Sequence, residues 1–229
     1  MRSGAPLRHA ENAIIVFVKY PTPGNVKTRI AADTGPLAAS QLYKSCAEHT
    51  LRVACGCPGA SVCVAYAFMN GGQVNDCVND LQMRLWLDLI EDMQGCSYLQ
   101  QAPDSDLGMR MADAICKTLG SGAQKVVFGP ALDGGYYLVG MSRFPDKVFE
   151  EVQWSTPSVL QQSLDQAHAM GWSCAPVTSL PACQDLDTIW DVRAWMSRNR
   201  NHPLCIEFEE VLSSLLTSEQ GLEPPCKPV

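Results

Sequence analysis

Short continuous runs of apolar and β-branched residues alternate along this chain with segments of helical periodicity. Residues 13–18 (AIIVFV) and 61–68 (SVCVAYAF) are typical of strands that are buried on both faces of a parallel sheet. Between them, a segment that begins at Pro36 places Leu42 and Cys46 on one helical face. The pattern predicts a strand, a loop, a helix and a second strand.

The alternation continues through the rest of the chain. We predict helices over residues 76–89, 107–119 and 204–216, and strands over 125–128, 136–139 and 172–177. Thr156 and Pro157 predict the N-cap and first residue of another helix, which Gly171 terminates. A further helix opens at residues 187–188 and carries an apolar face.

Strands that alternate with helices predict a three-layer α/β/α sandwich around a mostly parallel mixed sheet, because parallel strands need long crossovers. A length of 229 residues with 46% hydrophobic content suits one domain. We place that domain at residues 13–216, after a flexible leader (1–12) and before a disordered tail (217–229).

Composition narrows the possible partners. A net charge of -7 opposes attraction to nucleic acid. The apolar runs are shorter than the roughly 20 residues that span a bilayer, and the leader lacks the apolar stretch of a secretory signal. We therefore expect a cytoplasmic protein without a membrane span, with organelle targeting left open. The sequence does not indicate an oligomeric state.

The loop after the first predicted strand, residues 19–29 (KYPTPGNVKTR), combines a proline–glycine turn with several positive charges. Backbone amides around Pro23 and Gly24 suit phosphate oxygens. Lys27 adds a point charge, and the planar guanidinium of Arg29 grips two oxygens. This chemistry favours a diphosphate ligand, and the alternative is an ordinary turn beside solvated basic side chains.

A second loop lies within residues 129–140 (GPALDGGYYLVG), where an acid precedes two glycines. Gly134 and Gly135 allow the backbone to approach a bound molecule closely. Asp133 would then meet a sugar hydroxyl or a metal. The alternative is an Asp-Gly hairpin turn between core tyrosines.

A third loop carries Asp185 and Asp187 at alternate positions before a predicted helix, with Asp191 four residues beyond Asp187. Hard divalent cations such as Mg²⁺ or Mn²⁺ prefer carboxylate ligands. The alternative is that Asp187 or Thr188 caps the helix while Asp185 and Asp191 are solvated.

Arg110 is a candidate ligand contact on a predicted helix that turns Met111 and Ile115 toward the core. Trp154 offers an aromatic face to a sugar and Thr156 a hydroxyl, whereas packing and helix capping are the alternative roles. No histidine has a convincing nucleophile partner in the sequence, so triad hydrolysis is not favoured.

Five segments occur in an order that resembles the radical-SAM/selenodomain-associated transferase family, type one. They are residues 17–29, 106–111 (DLGMRM), 129–140, 154–156 (WST) and 185–188 (DLDT). The resemblance covers roughly residues 13–191. It implies a glycosyltransferase A-type, nucleotide-diphospho-sugar transferase-like fold, related in loop design to guanylyltransferases.

The resemblance, which covers Gly24, Lys27, Arg29, the Asp133 loop and Asp187, and the residue chemistry described above together predict the roles of the site residues. The nucleotide- and phosphate-binding residues would be Pro23, Gly24, Lys27, Thr28, Arg29 and Arg110. The donor or acceptor loop would comprise Asp133, Gly134, Gly135, Trp154 and Thr156, with Lys27 and Asp133 as catalytic residues. Asp187 and Asp185 would hold a divalent cation that offsets charge on a nucleoside diphosphate leaving group.

The chain departs from this family in one region. Members usually carry a strand that ends in Ser or Thr, Asp, x, Pro, and then a helix, before the Asp-Gly-Gly loop. Here residues 125–127 run directly into 128–131, as if a strand and a helix had been removed after Val127. Members also tend to have an acid at the position of Met109.

Three functions remain open at this level. The preferred one is a metal-assisted glycosyltransferase that uses a nucleotide sugar and a small-molecule acceptor. A guanylyltransferase-like nucleotidyltransferase that uses a nucleoside triphosphate is the nearest alternative. The third is a noncatalytic nucleotide-binding protein that has lost its metal-site segment.

Overall fold

The computed structural model describes residues 12–67, 76–90, 93, 95–101, 106–118, 125–142 and 147–219. Seven helices are present in these ranges: α1 (Thr28–Thr34), α2 (Pro36–Cys55), α3 (Asp76–Asp88), α4 (Leu107–Thr118), α5 (Val159–Ala169), α6 (Ile189–Arg198) and α7 (Pro203–Glu219). The strands are β1 (Asn12–Lys19), β2 (Ala60–Ala67), β3 (Ser97–Gln100), β4 (Lys125–Pro130), β5 (Tyr136–Met141) and β6 (Ser173–Cys174). Most of the predicted leader and tail lies outside the described residues.

The six strands form two three-stranded sheets, with orders β1-β2-β3 and β5-β4-β6. β2 pairs with β3 in parallel, and β4 pairs in parallel with β6 and antiparallel with β5. The predicted mixed α/β architecture is confirmed. The strands are divided between two sheets because β4 uses both of its edges for β5 and β6, which leaves neither for the other sheet.

The described residues divide between two units. The first unit contains the described residues within 12–18, 57–67 and 95–185, and the second contains those within 19–56, 76–93 and 186–219. All complete sheet pairings described above belong to the first unit. The second unit is built from α1, α2, α3, α6 and α7.

The core of the first unit forms around β4. Val126 and Phe128 of β4 pack with Met111 of α4 and Leu164 of α5, and all four side chains are buried. In the other sheet, every residue of β2 from Val62 onward is buried, as expected of a strand covered on both faces. Apolar runs without polar alternation therefore predicted these strands correctly.

The core of the second unit joins four helices. Ile30 of α1, Leu42 of α2, Ile189 of α6 and Phe208 of α7 are almost completely buried and pack in one cluster. This cluster fixes the starts of α1 and α6 relative to each other, which matters for the charged residues just before each helix.

Two sequence-based boundaries are wrong. The helix predicted from Thr156 begins instead at Val159, because the Thr156 hydroxyl donates to the carbonyl of Gln153 rather than capping the helix. The strand predicted over 172–177 shrinks to β6, because the chain then enters a 3₁₀ turn at Val177–Ser179. The sequence also did not predict α1 or β3.

Candidate functional site

The loop after β1 is held at its start by a tyrosine of α2. The Lys19 N–H donates to the Tyr43 hydroxyl at 2.8 Å, and that hydroxyl donates to the Lys19 carbonyl at 3.3 Å. Gly24 has φ 85°, and the Asn25 N–H donates to the Thr22 carbonyl at 3.1 Å, so the chain turns tightly here. The predicted turn is therefore present, with a fixed entry that the sequence did not indicate.

Lys27 occupies an unusual backbone conformation at the end of this loop. It lies at φ 46° and ψ 50°, in the left-handed region, immediately before α1. This conformation costs a non-glycine residue about 1 kcal/mol. The buried side chains of Val26 and Ile30 hold the backbone on either side. The backbone is thus constrained around the lysine that the sequence singled out.

The ammonium of Lys27 is fixed by a carboxylate 160 residues away. Lys27 Nζ lies 2.8 Å from Asp187 Oδ1, and Arg29 Nη1 lies 3.5 Å from Asp187 Oδ2. The Lys27 side chain is 27% exposed and that of Arg29 is 75% exposed. The first pair is therefore partly shielded from water, whereas the second lies at the surface and is weaker.

Asp187 reaches this position because the residue after it caps α6. The Thr188 hydroxyl accepts from the Asp191 N–H at 3.2 Å, and Asp191 Oδ2 accepts from the Thr188 N–H at 2.8 Å. This capping box confirms the predicted capping role of Thr188. Asp191 is committed to the cap, whereas Asp187 faces the basic loop.

A cysteine of α2 shares the electrostatic environment of Lys27. Burial raises the pKa of Cys46 to about 11, and the positive charge of Lys27 acts in the opposite direction. The thiol is therefore protonated at neutral pH. It does not supply a competing negative charge beside Lys27.

In the first unit, Asp133 forms the turn between β4 and β5. Asp133 Oδ1 accepts from the Gly135 N–H at 2.9 Å, and the two strands pair antiparallel on either side. This is the hairpin that the sequence analysis kept as the alternative. Asp133 is exposed, and its other carboxylate oxygen has no partner among the residues described.

Gly134 packs directly against the segment that precedes α5. It has φ 91°, and a Cβ atom built on it would lie 2.0 Å from the Pro157 carbonyl oxygen. The Leu160 N–H donates to the Gly134 carbonyl at 3.0 Å. Glycine is therefore needed for the turn to dock on the start of α5.

The Trp154–Thr156 segment takes part in packing and turn formation. Trp154 forms ring contacts with Tyr136 and Phe149, and its indole lies over Gly108 of α4. Ser155 has a left-handed backbone with φ 63°. These contacts fit the packing role that was the alternative to sugar stacking. A contact between Trp154 and a sugar stays a prediction.

Arg110 lies on α4, close to the acid that begins this helix. Asp106 Oδ1 accepts from the Met109 N–H at 2.8 Å, and Arg110 Nε donates to the Asp106 carbonyl at 3.4 Å. Met111 and Ile115 face the core as predicted. The ligand contact proposed for Arg110 stays a prediction.

The role of Asp185 and Asp187 as metal ligands stays a prediction. Each Asp187 oxygen faces a basic side chain. Over the described ranges, no group of three or more His, Cys, Asp or Glu side chains is placed to hold a metal ion. The present donor set fits an ion pair better than a divalent cation.

An open groove of about 410 Å³ borders the beginning of the basic loop in the second unit. Its walls come from the loop, the first turns of α2, and α3. Leu37, Leu85 and Leu89 line it and are exposed. Of the predicted site residues only Pro23 reaches it, so the groove is distinct from the charged cluster.

The structure thus brings Lys27, Arg29 and Asp187 into one cluster in the second unit. It gathers Asp133, Gly134 and Gly135 into one turn of the first unit. Tyr43 was missed, because a tyrosine within a helical pattern carries no signal of a contact 24 residues away. The same holds for Gln101, whose buried amide donates to the Ala65 carbonyl at 2.7 Å at the end of β2.

Comparison with known proteins places this architecture in a class. A protein from Desulfovibrio desulfuricans G20, described as a "putative nucleotide-diphospho-sugar transferase", has a similar solved structure with a TM-score of 0.73. The two chains are 25% identical, and the match covers 91% of this chain and 98% of that one. The protein therefore has the fold of nucleotide-diphospho-sugar transferases.

At the level of sequence families the match is shorter. Residues 116–156 match a family of uncharacterized proteins conserved in bacteria, DUF2064. This range includes the Asp133 turn and the Trp154–Thr156 segment. No curated protein matches the chain. In the described part of the chain, no helix has the length and apolar character needed to cross a membrane.

Proposed function

We propose that this protein is a transferase that uses a nucleotide-activated donor and that the group it transfers is a glycosyl group. The observation that supports this most directly is the fold match over 91% of the chain to the protein described as a "putative nucleotide-diphospho-sugar transferase". The position of the basic loop adds to it, because ligands of open α/β folds bind beyond the carboxyl ends of strands. Lys27 and Arg29 follow β1 in this way.

In this proposal, the second unit holds the diphosphate of the donor. The turn at Pro23 and Gly24 offers the Gly24 backbone N–H, Lys27 offers a partly shielded ammonium, and Arg29 offers an exposed guanidinium. Thr28 adds a hydroxyl beside them. Positive charge at this place stabilises the nucleoside diphosphate as it leaves, because negative charge develops on it during transfer.

The Asp133 turn is kept as the proposed donor or acceptor loop. Asp133 Oδ1 is occupied by its own turn, which leaves the second oxygen to accept a hydrogen bond from a sugar hydroxyl. Trp154, Thr156 and Arg110 are kept as further proposed contacts. The small-molecule acceptor and the identity of the sugar are left to experiment.

In this proposal, Lys27 and Arg29 offset the negative charge of the departing diphosphate. A requirement for Mg²⁺ or Mn²⁺ stays a prediction. Transfer assays with added cation and with EDTA test it directly. Loss of transfer in EDTA would indicate that the reaction requires a divalent cation.

The decisive experiment screens nucleotide sugars and nucleoside diphosphates for binding by calorimetry, and for transfer by product detection. We expect Lys27→Met to weaken binding of a nucleoside diphosphate about tenfold and to leave binding of the nucleoside unchanged, because only the phosphates meet the ammonium. Lys117→Met is the matched control, since Lys117 lies on α4 and pairs locally with Asp113.

Three outcomes would count against the proposal. Equal weakening of nucleoside and nucleoside diphosphate would remove the phosphate role of Lys27. Release of pyrophosphate from a nucleoside triphosphate would reassign the chemistry to nucleotidyl transfer. Binding of nucleotide without any turnover would favour a noncatalytic role.

A further inference from the structure

Asp187 pairs with the two basic side chains that the proposed function assigns to an anionic ligand. Its two oxygens face two different cations, Oδ1 toward Lys27 at 2.8 Å and Oδ2 toward Arg29 at 3.5 Å. Two oxygens of one phosphate would meet the same pair of side chains in the same manner. A ligand anion and this carboxylate therefore compete for the same donors.

The position of Asp187 is set by its neighbours rather than by the ion pair alone. The next residue, Thr188, caps α6 together with Asp191, and Ile189 is buried in the cluster that contains Ile30 of α1. These contacts do not involve the Asp187 carboxylate. The carboxylate is thus available for a role that the fold does not require.

We propose that Asp187 is an internal competitor that occupies Lys27 and Arg29 until a diphosphate displaces it. The inference rests on the proposed function, because it assumes that the basic loop binds phosphate. With Asp187 in place, the two positive charges are half neutralised. A weakly charged anion then gains little binding free energy by replacing the carboxylate, whereas a diphosphate carries enough negative charge to displace it. Asp187 is on this view a specificity residue for the charge of the ligand.

The test measures binding of inorganic pyrophosphate by calorimetry in EDTA, with Asp187→Asn compared to the unmodified chain. We expect about fivefold tighter binding in the variant, because a partly exposed competing charge has been removed. The control is Asp165→Asn, which makes the same charge change at an exposed position of α5. Since Asp165 bonds locally to Gln161 and is not part of the cluster, its effect should be about twofold or less.

A second comparison ties the effect to the cation. In a Lys27→Met background, Asp187→Asn should give a much smaller gain, because the cation for which the two anions compete has been removed. If Asp187→Asn does not fold, as judged by circular dichroism and thermal unfolding, Asp187→Ser keeps a small polar residue before the Thr188 cap and provides the same comparison.

The outcomes separate this inference from the proposed function. Weaker or unchanged pyrophosphate binding in Asp187→Asn would overturn the competitor role, even if Lys27→Met still weakens binding and so supports the phosphate loop. A gain that persists without Lys27 would also overturn it. If neither the unmodified chain nor the variant binds pyrophosphate or a nucleotide, both the inference and the phosphate loop fail.

Discussion

The Asp133 turn of the first unit and the Lys27 loop of the second contain similar ingredients, namely glycine, a charged side chain and a sharp change of direction. Their charged side chains differ in how far along the chain their bonding partners lie. Asp133 accepts a hydrogen bond from Gly135, two residues away, whereas Lys27 is paired with Asp187, 160 residues away. A local partner accounts for the Asp133 turn by itself, while the Lys27 loop depends on the assembled fold.

The comparison shows how a glycine-rich motif can be necessary for packing and still be a candidate site. Gly134 is needed because it touches the backbone of Pro157. Gly24 also has a positive φ, but a Cβ atom added there would meet nothing within 4 Å. The space beside Gly24 is therefore open, whereas Gly134 is packed against the backbone of Pro157.

The largest effect that sharpens this contrast is expected for Gly134→Ala. The added Cβ would meet the Pro157 carbonyl at 2.0 Å and would also carry an unfavourable φ of 91°. We expect the free energy of unfolding, measured with urea, to fall by about 3 kcal/mol or more. Gly171→Ala is the control, since it has φ 73° but open space, and should cost about 1 kcal/mol. Equal losses would mean that the close contact is not a constraint.

Asp133 gives the next largest effect and can separate a turn role from a chemical one. Asp133→Asn keeps the Oδ1 acceptor for the Gly135 N–H, so stability should change by less than about 0.5 kcal/mol, whereas Asp133→Ala should lose about 1 kcal/mol. If the carboxylate contacts the donor or acceptor, Asp133→Asn should still lower turnover about tenfold or more, as measured by product formation. Full activity in Asp133→Asn would show that Asp133 serves only to form the turn.

The smallest effect concerns His49 on α2, the helix whose Tyr43 holds the start of the Lys27 loop. Burial lowers the pKa of His49 on α2, and the charges of His202 and Arg52 lower it further while Glu207 opposes them. The unfolded chain therefore takes up this proton first, near pH 6.5, and the contribution of neutral His49 to stability is lost as the pH falls below that value.

The corresponding measurement is the free energy of unfolding between pH 7.5 and pH 5. We expect the unmodified chain to lose more stability over this range than His49→Gln does. His168→Gln, which makes the same substitution at an exposed position of α5, is the matched control. If the free energy of unfolding depends on pH in the same way in His49→Gln and in the unmodified chain, His49 does not contribute to the pH dependence of stability.

Local signals in the sequence determined much of the architecture. The β-branched run of β1, the proline at the start of α2, and Thr188 before α6 each predicted an element whose start agrees with the structure to within a residue or two. The reason is that strand burial and helix caps depend on residues within a few positions of one another. The three candidate loops could be found for the same reason.

The tertiary structure decided which candidate residues meet. That Asp187 would face Lys27 and Arg29, while Asp191 closes a helix cap, could not be read from two acids four residues apart, because the choice depends on where α1 and α6 pack. The division of the strands between two sheets likewise depends on which edges of β4 are filled. Contacts between residues far apart in the chain are set by the packed core, and sequence spacing carries no information about them.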